Sequence, residues 1–414
     1  MKVVKISRLL IFILLGVLCC CRKQQQEDTS NRSYFAFDLT DRKLVIPVQL
    51  NDSVMVKLLF DTGAGTEYYY DLVTLDSDVL SANPSLPLNH IWFKAPFSTA
   101  WSKRREPSIC YDSMQLKLRF GRTDIVYSSI CAVSYKKYMN STVTEGIFNI
   151  PQSDTTHVWE LNFENNYMEV HPADNYIFPK DCMIFPLEAS KTNPFYVTLP
   201  LRLCFSDKDT LVIHQKFLID TGLPRDIVLS SEACGLEYLN QREDAIWLQD
   251  LDRYIRYYTA TTILFDDFTM DSLRVYTLDY KNRLPHPYLI GLNFLKRFNV
   301  FFDMKNRHLG LQPIPNFQRL VNPLYKRFHY SAQKGRDGKF IVDCVADYRE
   351  NYYKTAGLQV GDEIVSMNGV LYGEITEEIA QRLRKLDTLV VNIVRNGKPQ
   401  TLYVGVDQNE LTGD

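Results

Sequence analysis

Two distant segments of this chain read alike, and their likeness constrains the fold more than any other feature. From Lys43 the sequence runs KLVIPVQLNDSVMVKLLFDTG. An apolar strand over Leu44 to Leu50, a polar Asn51-Asp52-Ser53 turn and a second strand over Val54 to Phe60 lead into Asp61-Thr62-Gly63. From Phe195 the chain runs FYVTLPLRLCFSDKDTLVIHQKFLIDTG, and Asp220-Thr221-Gly222 follows the strand Phe217 to Ile219 in the same way. The two threonines lie 159 positions apart. An isolated Asp-Thr-Gly is common by chance, but one placed identically after two matching hairpins is the mark of an internal repeat.

The repeat extends downstream. Trp159 to Val170 aligns without a gap on Val300 to Leu311, each reading as strand, Asn-containing turn, strand. Ahead of these, Gly146-Ile147-Phe148-Asn149 aligns with Tyr288-Leu289-Ile290-Gly291, an apolar pair leading to a tight turn. Two diverged lobes, 34–172 and 192–313, are therefore expected, joined by a connection that begins at Pro172-Ala173-Asp174 and continues through Pro186 and Pro194. A chain of 414 residues has room for both lobes and for a further domain.

A competing reading of the first turn is a phosphate loop, because Gly63 and Gly65 begin a GxGxxG pattern. The pattern ends in Tyr68, and Glu67 to Tyr70 lacks the small residues that let a helix start against a pyrophosphate. Other classes also recede. Lys plus Arg 47 against Asp plus Glu 49 gives a net charge of −2 and no field for nucleic acid. The 7 histidines form no HxH or HExxH group, so no metal site is expected.

Two aspartates in strand-end turns suggest a specific chemistry. Glycine lets the backbone approach closely and offer its N–H to a carboxylate, and a threonine hydroxyl can tie neighbouring turns together. Packed symmetrically, the two carboxylates would come within hydrogen-bond reach and share one proton at moderately acidic pH. One would then act as base toward a water while its protonated partner polarises a carbonyl.

DTGA at Asp61 to Ala64, DTG at Asp220 to Gly222 and YLIG at Tyr288 to Gly291 resemble the aspartic peptidases of the pepsin and retropepsin type. The resemblance spans roughly residues 34–313. It implies a mainly β, bilobal, duplicated acid-protease barrel fold with a peptide cleft between lobes. Asp61 and Asp220 would be catalytic, Thr62 and Thr221 would supply hydrogen bonds between the turns, and Gly63 and Gly222 the backbone geometry, with a protein or peptide as substrate. Ala64 and Leu223 stand where many members carry a hydroxyl residue. Leu223-Pro224 predicts a narrowed or distorted second turn, and from that follows an alternative, a catalytically inactive bilobal peptide-binding lipoprotein. Tyr111, in REPSICYDSMQLKLRFG, is the candidate flap tyrosine, with a plain surface or core position as the alternative.

The first residues, MKVVKISRLLIFILLGVLCCC, carry basic residues, an apolar run from Leu9 to Leu18 and three cysteines before an abruptly polar stretch. That is an export signal rather than folded structure, and the run is short for a membrane span. Residues 1–21 resemble a bacterial lipoprotein signal, with Cys21, or Cys20, as the lipidated residue. An ordinary signal peptide or signal anchor is the alternative. The resemblance implies a lipid-anchored protein of the bacterial cell envelope, on a periplasmic or outer-membrane surface. Beyond the signal, Cys110, Cys131, Cys182, Cys204, Cys234 and Cys344 contain no CxxC, and both disulfides and buried thiols fit their spacing.

From about residue 335 the alternation resumes. Ala356-Gly357-Leu358, Gly361-Asp362-Glu363-Ile364 and Asn368-Gly369 precede a helix over Ile375 to Leu386 and a terminal hairpin. Gly357 and Gly361 fit turns, Ile364 and Val365 are expected in the core, and Asn368-Gly369 closes a tight hairpin. The order of these elements over 320–408 resembles a small α+β PDZ domain. It implies a C-terminal peptide as ligand, docked on a sheet edge near Leu324, Tyr325 and Phe328, with a purely structural role as the alternative. Oligomeric state is left open by the sequence.

Overall fold

The computed structural model describes residues 31–34, 36–38, 43–52, 54–64, 72–83, 88–97, 106–134, 144–188, 195–206, 209–229, 233, 235–242, 246–250, 253–264, 268–278, 288–315, 317, 330–335, 338–346, 352–383 and 386–405. Strand makes up 58% of the structure against 12% helix, so the expectation of a mainly β protein holds. The expected signal at 1–21, with Cys20 and Cys21, and the docking residues Leu324, Tyr325 and Phe328 lie outside the described residues.

The first half contains β1 (Ser33–Tyr34), β2 (Ala36–Asp38), β3 (Lys43–Leu50), β4 (Val54–Phe60), β5 (Leu72–Asp76), β6 (Leu88–Phe97), β7 (Glu106–Phe120), β8 (Thr123–Val133), β9 (Gly146–Phe148), β10 (His157–Asn162) and β11 (Tyr167–Pro172). The predicted hairpin is β3 against β4, and Asn51 and Asp52 take the positive φ its turn requires. Alternate residues of β3 from Leu44 to Leu50 point into the core, as a strand with one covered face requires. Six strands close a ring: β3 pairs with β4, β4 with β9 in parallel, β9 with β5, β5 with β8 in parallel, β8 with β7, and β7 with β3. Strand β6 is added outside the ring, on β7.

The next part contains β12 (Met183–Glu188), β13 (Tyr196–Ser206), β14 (Asp209–Asp220), β15 (Ile227–Leu229), β16 (Ile246–Asp250), β17 (Arg253–Leu264), β18 (Phe268–Leu278), β19 (Tyr288–Gly291), β20 (Phe298–Asp303) and β21 (His308–Pro313). Its ring has the same order of pairing: β13 with β14, β14 with β19 in parallel, β19 with β15, β15 with β18 in parallel, β18 with β17, and β17 with β13. Strand β16 is added outside, on β17, as β6 is on β7. A six-stranded antiparallel platform, in the order β1, β11, β10, β20, β21, β12, lies between the rings. Its central pair sets Trp159 opposite Phe302 and Leu161 opposite Val300, which are residues of the two segments aligned from sequence. One continuous core runs through both rings and the platform. Pro186, expected in an irregular connection, lies in β12, at the platform edge, where the pairing with β21 leaves room for a residue without an N–H.

The last part contains β22 (Tyr330–Lys334), β23 (Phe340–Ala346), β24 (Glu363–Met367), β25 (Val370–Leu371), β26 (Thr388–Arg395) and β27 (Lys398–Gly405), with a helix at Glu377–Leu383 and a core of its own. Two-residue turns close β24–β25 and β26–β27, and Asn368, Gly369, Asn396 and Gly397 all have positive φ. Arg395 grips the buried Asp362 with two hydrogen bonds of 2.6 and 2.7 Å and donates a third, of 2.6 Å, to Gly357 O. The Gly-Asp motif therefore folds a turn onto β26. Strand β23 also pairs with β16, Gln249 opposite Val345, so a strand of the second ring's outer hairpin continues into this part.

One sequence expectation is corrected here. Ile364 is buried but Val365 is 37% exposed, because neighbouring residues of β24 point to opposite faces and only one face meets the core. Ile364→Ala should therefore destabilise this part by about 2–5 kcal/mol, whereas Val365→Thr should change it by no more than about 0.5 kcal/mol. Hydrogen exchange of β24 and β26 amides in the full chain reads both effects.

Candidate active site

The two Asp-Thr-Gly turns meet between the rings. Each follows the strand that runs parallel to the short central strand of its ring, so Asp61 N donates to Phe148 O at 3.0 Å and Asp220 is in register with Gly291. The threonines are fully buried and exchange bonds. Thr62 Oγ1 donates to Ile219 O at 2.7 Å and accepts from Thr221 N at 3.1 Å. Thr221 Oγ1 donates to Phe60 O at 2.9 Å and accepts from Thr62 N at 3.0 Å. Four buried backbone groups are thus satisfied by two hydroxyls, each from the other half of the molecule.

The glycines complete the approach. A Cβ on Gly63 would overlap the Asp220 carboxylate, and one on Gly222 would overlap that of Asp61. Each turn therefore closes over the opposite aspartate, and only glycine fits there. Asp61 Oδ1 accepts from Ala64 N at 2.9 Å, Asp220 Oδ1 accepts from Gly222 N at 3.0 Å, and the two carboxyls hydrogen-bond each other. A carboxyl-to-carboxyl hydrogen bond needs one proton.

Burial and charge act on both groups. Burial pushes both carboxyls above the usual range, and for Asp61 the N–H donors of Ala64 and Gly63 offset part of the rise. Burial pushes Asp220 well up, and the charge of Asp61 pushes it further. Both carboxyls are thus raised, Asp220 the more, and the pair is set to share one proton. Such an arrangement combines a base and an acid within one hydrogen bond of each other, the requirement for activating a water while polarising a carbonyl.

Leu223 and Pro224, expected to narrow or distort the second turn, are both engaged. Leu223 is 4% exposed, with its side chain in the main core and its N–H on Asp220 O at 3.3 Å. The Pro224 carbonyl accepts from Asn293 Nδ2 at 3.0 Å. Tyr111 lies on β7, with Ile91 of β6 and Ile130 of β8 opposite it, and its side chain is outside the described set. Asn149, expected only as a residue of a tight turn, reaches Ala64 O with its side chain at 2.8 Å.

A second cluster lies on the platform. Ligand atoms of Glu160, Glu169 and His171 all fall within 4.8 Å of one another, a composition a metal ion could use. Their partners already occupy them: Glu160 accepts from Asn162, Tyr167 and His171, and Glu169 pairs with Arg32 at 3.3 Å. Burial raises the Glu160 carboxyl, but these hydrogen bonds outweigh it and hold the group below its usual range. The cluster reads as an ion-pair network that pins β1, β10 and β11. Cys182 and Cys204 are thiols, and burial pushes Cys182 up to about 12, which keeps it protonated.

No protein-family model matches the chain, and no curated protein matches it. Among the described residues no helix is long and apolar enough to cross a membrane. A functional reading therefore rests on the residues themselves.

Two measurements probe the site. Thr62→Val and Thr221→Val should each cost about 1–3 kcal/mol, because each leaves a buried donor and acceptor unmet, and the double variant should cost less than the sum, since both act on one set of bonds. Asp220 binds its proton more tightly folded than unfolded, so stability falls as pH rises from the unfolded toward the folded pKa. Asp220→Asn removes that dependence. Its melting temperature relative to the unsubstituted protein should rise from acid to neutral pH, and a difference independent of pH would contradict the raised carboxyl.

Proposed function

We propose that this protein is an aspartic-type endopeptidase that hydrolyses peptide bonds with Asp61 and Asp220. One observation carries the reading: two Asp-Thr-Gly turns meet, each closed over the other's carboxyl, and burial raises both carboxyls. The recurrence of the six-strand ring on either side of a shared platform supports the finer fold reading, a duplicated acid-protease fold with the peptide lying between lobes.

In the proposed reaction, ionised Asp61 takes a proton from a water as its oxygen bonds to the peptide carbonyl carbon. Protonated Asp220 hydrogen-bonds the carbonyl oxygen and gives it the proton, forming a gem-diol. Collapse of the gem-diol breaks the C–N bond, with a proton delivered to the leaving nitrogen, and the pair again shares a single proton. No metal or other cofactor enters this scheme. The raised carboxyls favour turnover at moderately acidic pH, where the pair holds one proton.

The C-terminal part is proposed as a PDZ-like docking module. Its support is the turn built by Gly357 and Asp362, the Asn368-Gly369 hairpin, the helix Glu377–Leu383 and the final hairpin. Among the described residues β22 pairs with β23 alone, which leaves an edge where a C-terminal peptide can add as a strand. The loop bearing Leu324, Tyr325 and Phe328 would receive its carboxylate, and Tyr111 would serve a flap. Lipidation at Cys21 or Cys20 would hold the enzyme at a bacterial envelope membrane, facing protein or peptide substrates.

Purified full-length protein should cleave members of a fluorogenic peptide library at acidic pH, and Asp61→Asn or Asp220→Asn should reduce kcat to background with the fold retained by circular dichroism. Cleavage that survives either substitution would sink the dyad reading; peptide binding without turnover in the unsubstituted protein would favour the binding-protein alternative.

A further inference from the structure

We infer that Asn149 is a positioning residue for Asp61: its side-chain amide clamps the carbonyls of the first Asp-Thr-Gly turn and so aims that turn's N–H groups at the carboxylate. The inference rests on the reading of Asp61 and Asp220 as a working pair, and deepens it.

The two rings hold their turns by different means. In the second ring the strand β19 runs into a short helix, Leu292–Leu295. The first N–H groups of that helix serve the turn: Leu292 N donates to Leu223 O at 2.7 Å and Asn293 N to Arg225 O at 3.1 Å, with the Asn293 side chain on Pro224 O. Gly291 must be glycine, because a Cβ there would run into the carbonyls of Leu223 and Arg225. In the first ring, β9 is followed by residues 149–151, which are not helical. The position matching Gly291 is Asn149, and its side chain does what the helix does elsewhere.

The bonds are specific. Asn149 Nδ2 donates to Ala64 O at 2.8 Å and to Thr62 O at 3.4 Å, one hydrogen for each carbonyl. The amide is itself held, since Oδ1 accepts from Ile150 N at 2.7 Å and the backbone O accepts from the buried Tyr127 hydroxyl at 2.6 Å. Thr62 O and Gly63 N are the two ends of one peptide unit, and the Gly63 N–H acts on Asp61. Holding the carbonyl end fixes the direction of the N–H end and polarises it. The clamp on Ala64 O restrains the residue whose own N–H donates to Asp61 Oδ1.

The consequence is electrostatic. Asp220 is the titratable group that faces Asp61, and the other groups acting on it are the backbone N–H donors of Gly63, Ala64 and Gly222. Releasing the clamp weakens the first two donors, disfavours ionised Asp61, and moves the first proton loss of the pair to higher pH.

The test uses Asn149→Ala and Asn149→Asp in the full-length protein; the second keeps the size of the side chain and the acceptor for Ile150 N but lacks the amide donor. Both should move the acidic limb of the kcat profile upward by about half to one pH unit and lower kcat about tenfold, with KM within about twofold. A titration by carbon NMR of labelled aspartate carboxyls, assigned with Asp61→Asn and Asp220→Asn, should show the same upward shift and needs no turnover. An unchanged carboxyl titration in both variants overturns the inference, as does loss of the fold in both, which would make Asn149 a folding residue. A shifted titration in a protein that cleaves no peptide would sustain the clamp and remove the peptidase reading.

Discussion

Two threonine hydroxyls, each buried and each bonded into the opposite half of the molecule, set the geometry on which the rest of the structure depends. Four bonds of the exchange join a side chain of one ring to the backbone of the other. Neither ring can shift relative to its partner without stranding a buried N–H and a buried carbonyl, and each such loss costs about 1–3 kcal/mol. The platform strands β10 and β20 supply the same constraint over a larger surface, with Trp159 and Phe302 paired across the centre. Together they fix the separation of two carboxyls that would otherwise repel.

That repulsion is retained rather than relieved. Cationic side chains are absent from the dominant influences on either aspartate; burial raises both carboxyls, the charge of Asp61 raises Asp220 further, and backbone N–H groups take back part of the rise. The site thus holds a group in a protonation state that water would not favour, and the surrounding fold bears the cost. The platform cluster at Glu160 shows the opposite solution in the same molecule. There a buried carboxylate is given a histidine, an amide and a phenol, and its ionised form is the favoured one.

Much of this was legible in the sequence where the signal was local. Hairpins with alternating apolar residues, a repeated Asp-Thr-Gly and the Asn-Gly turns all write their geometry into neighbouring positions, and the structure follows them. What was not legible depends on residues far away. Val365 was expected inside because it is apolar, but which face of β24 is covered is decided by the elements packed on it. Leu223 read as an obstacle to the second turn because its destination, the ring interior, is invisible from its neighbours. Asn149 read as a turn residue, since nothing in its own surroundings announces carbonyls 85 and 87 positions away.

The pairing of β16 with β23 gives the C-terminal part a role that does not depend on any ligand. Strand β16 hangs outside the second ring, and without β23 the backbone groups on its outer side would stand open to solvent. Such an edge is a template for another chain of the same kind. Strand β23 covers that edge, so the last part of the chain completes the outer hairpin of the second ring.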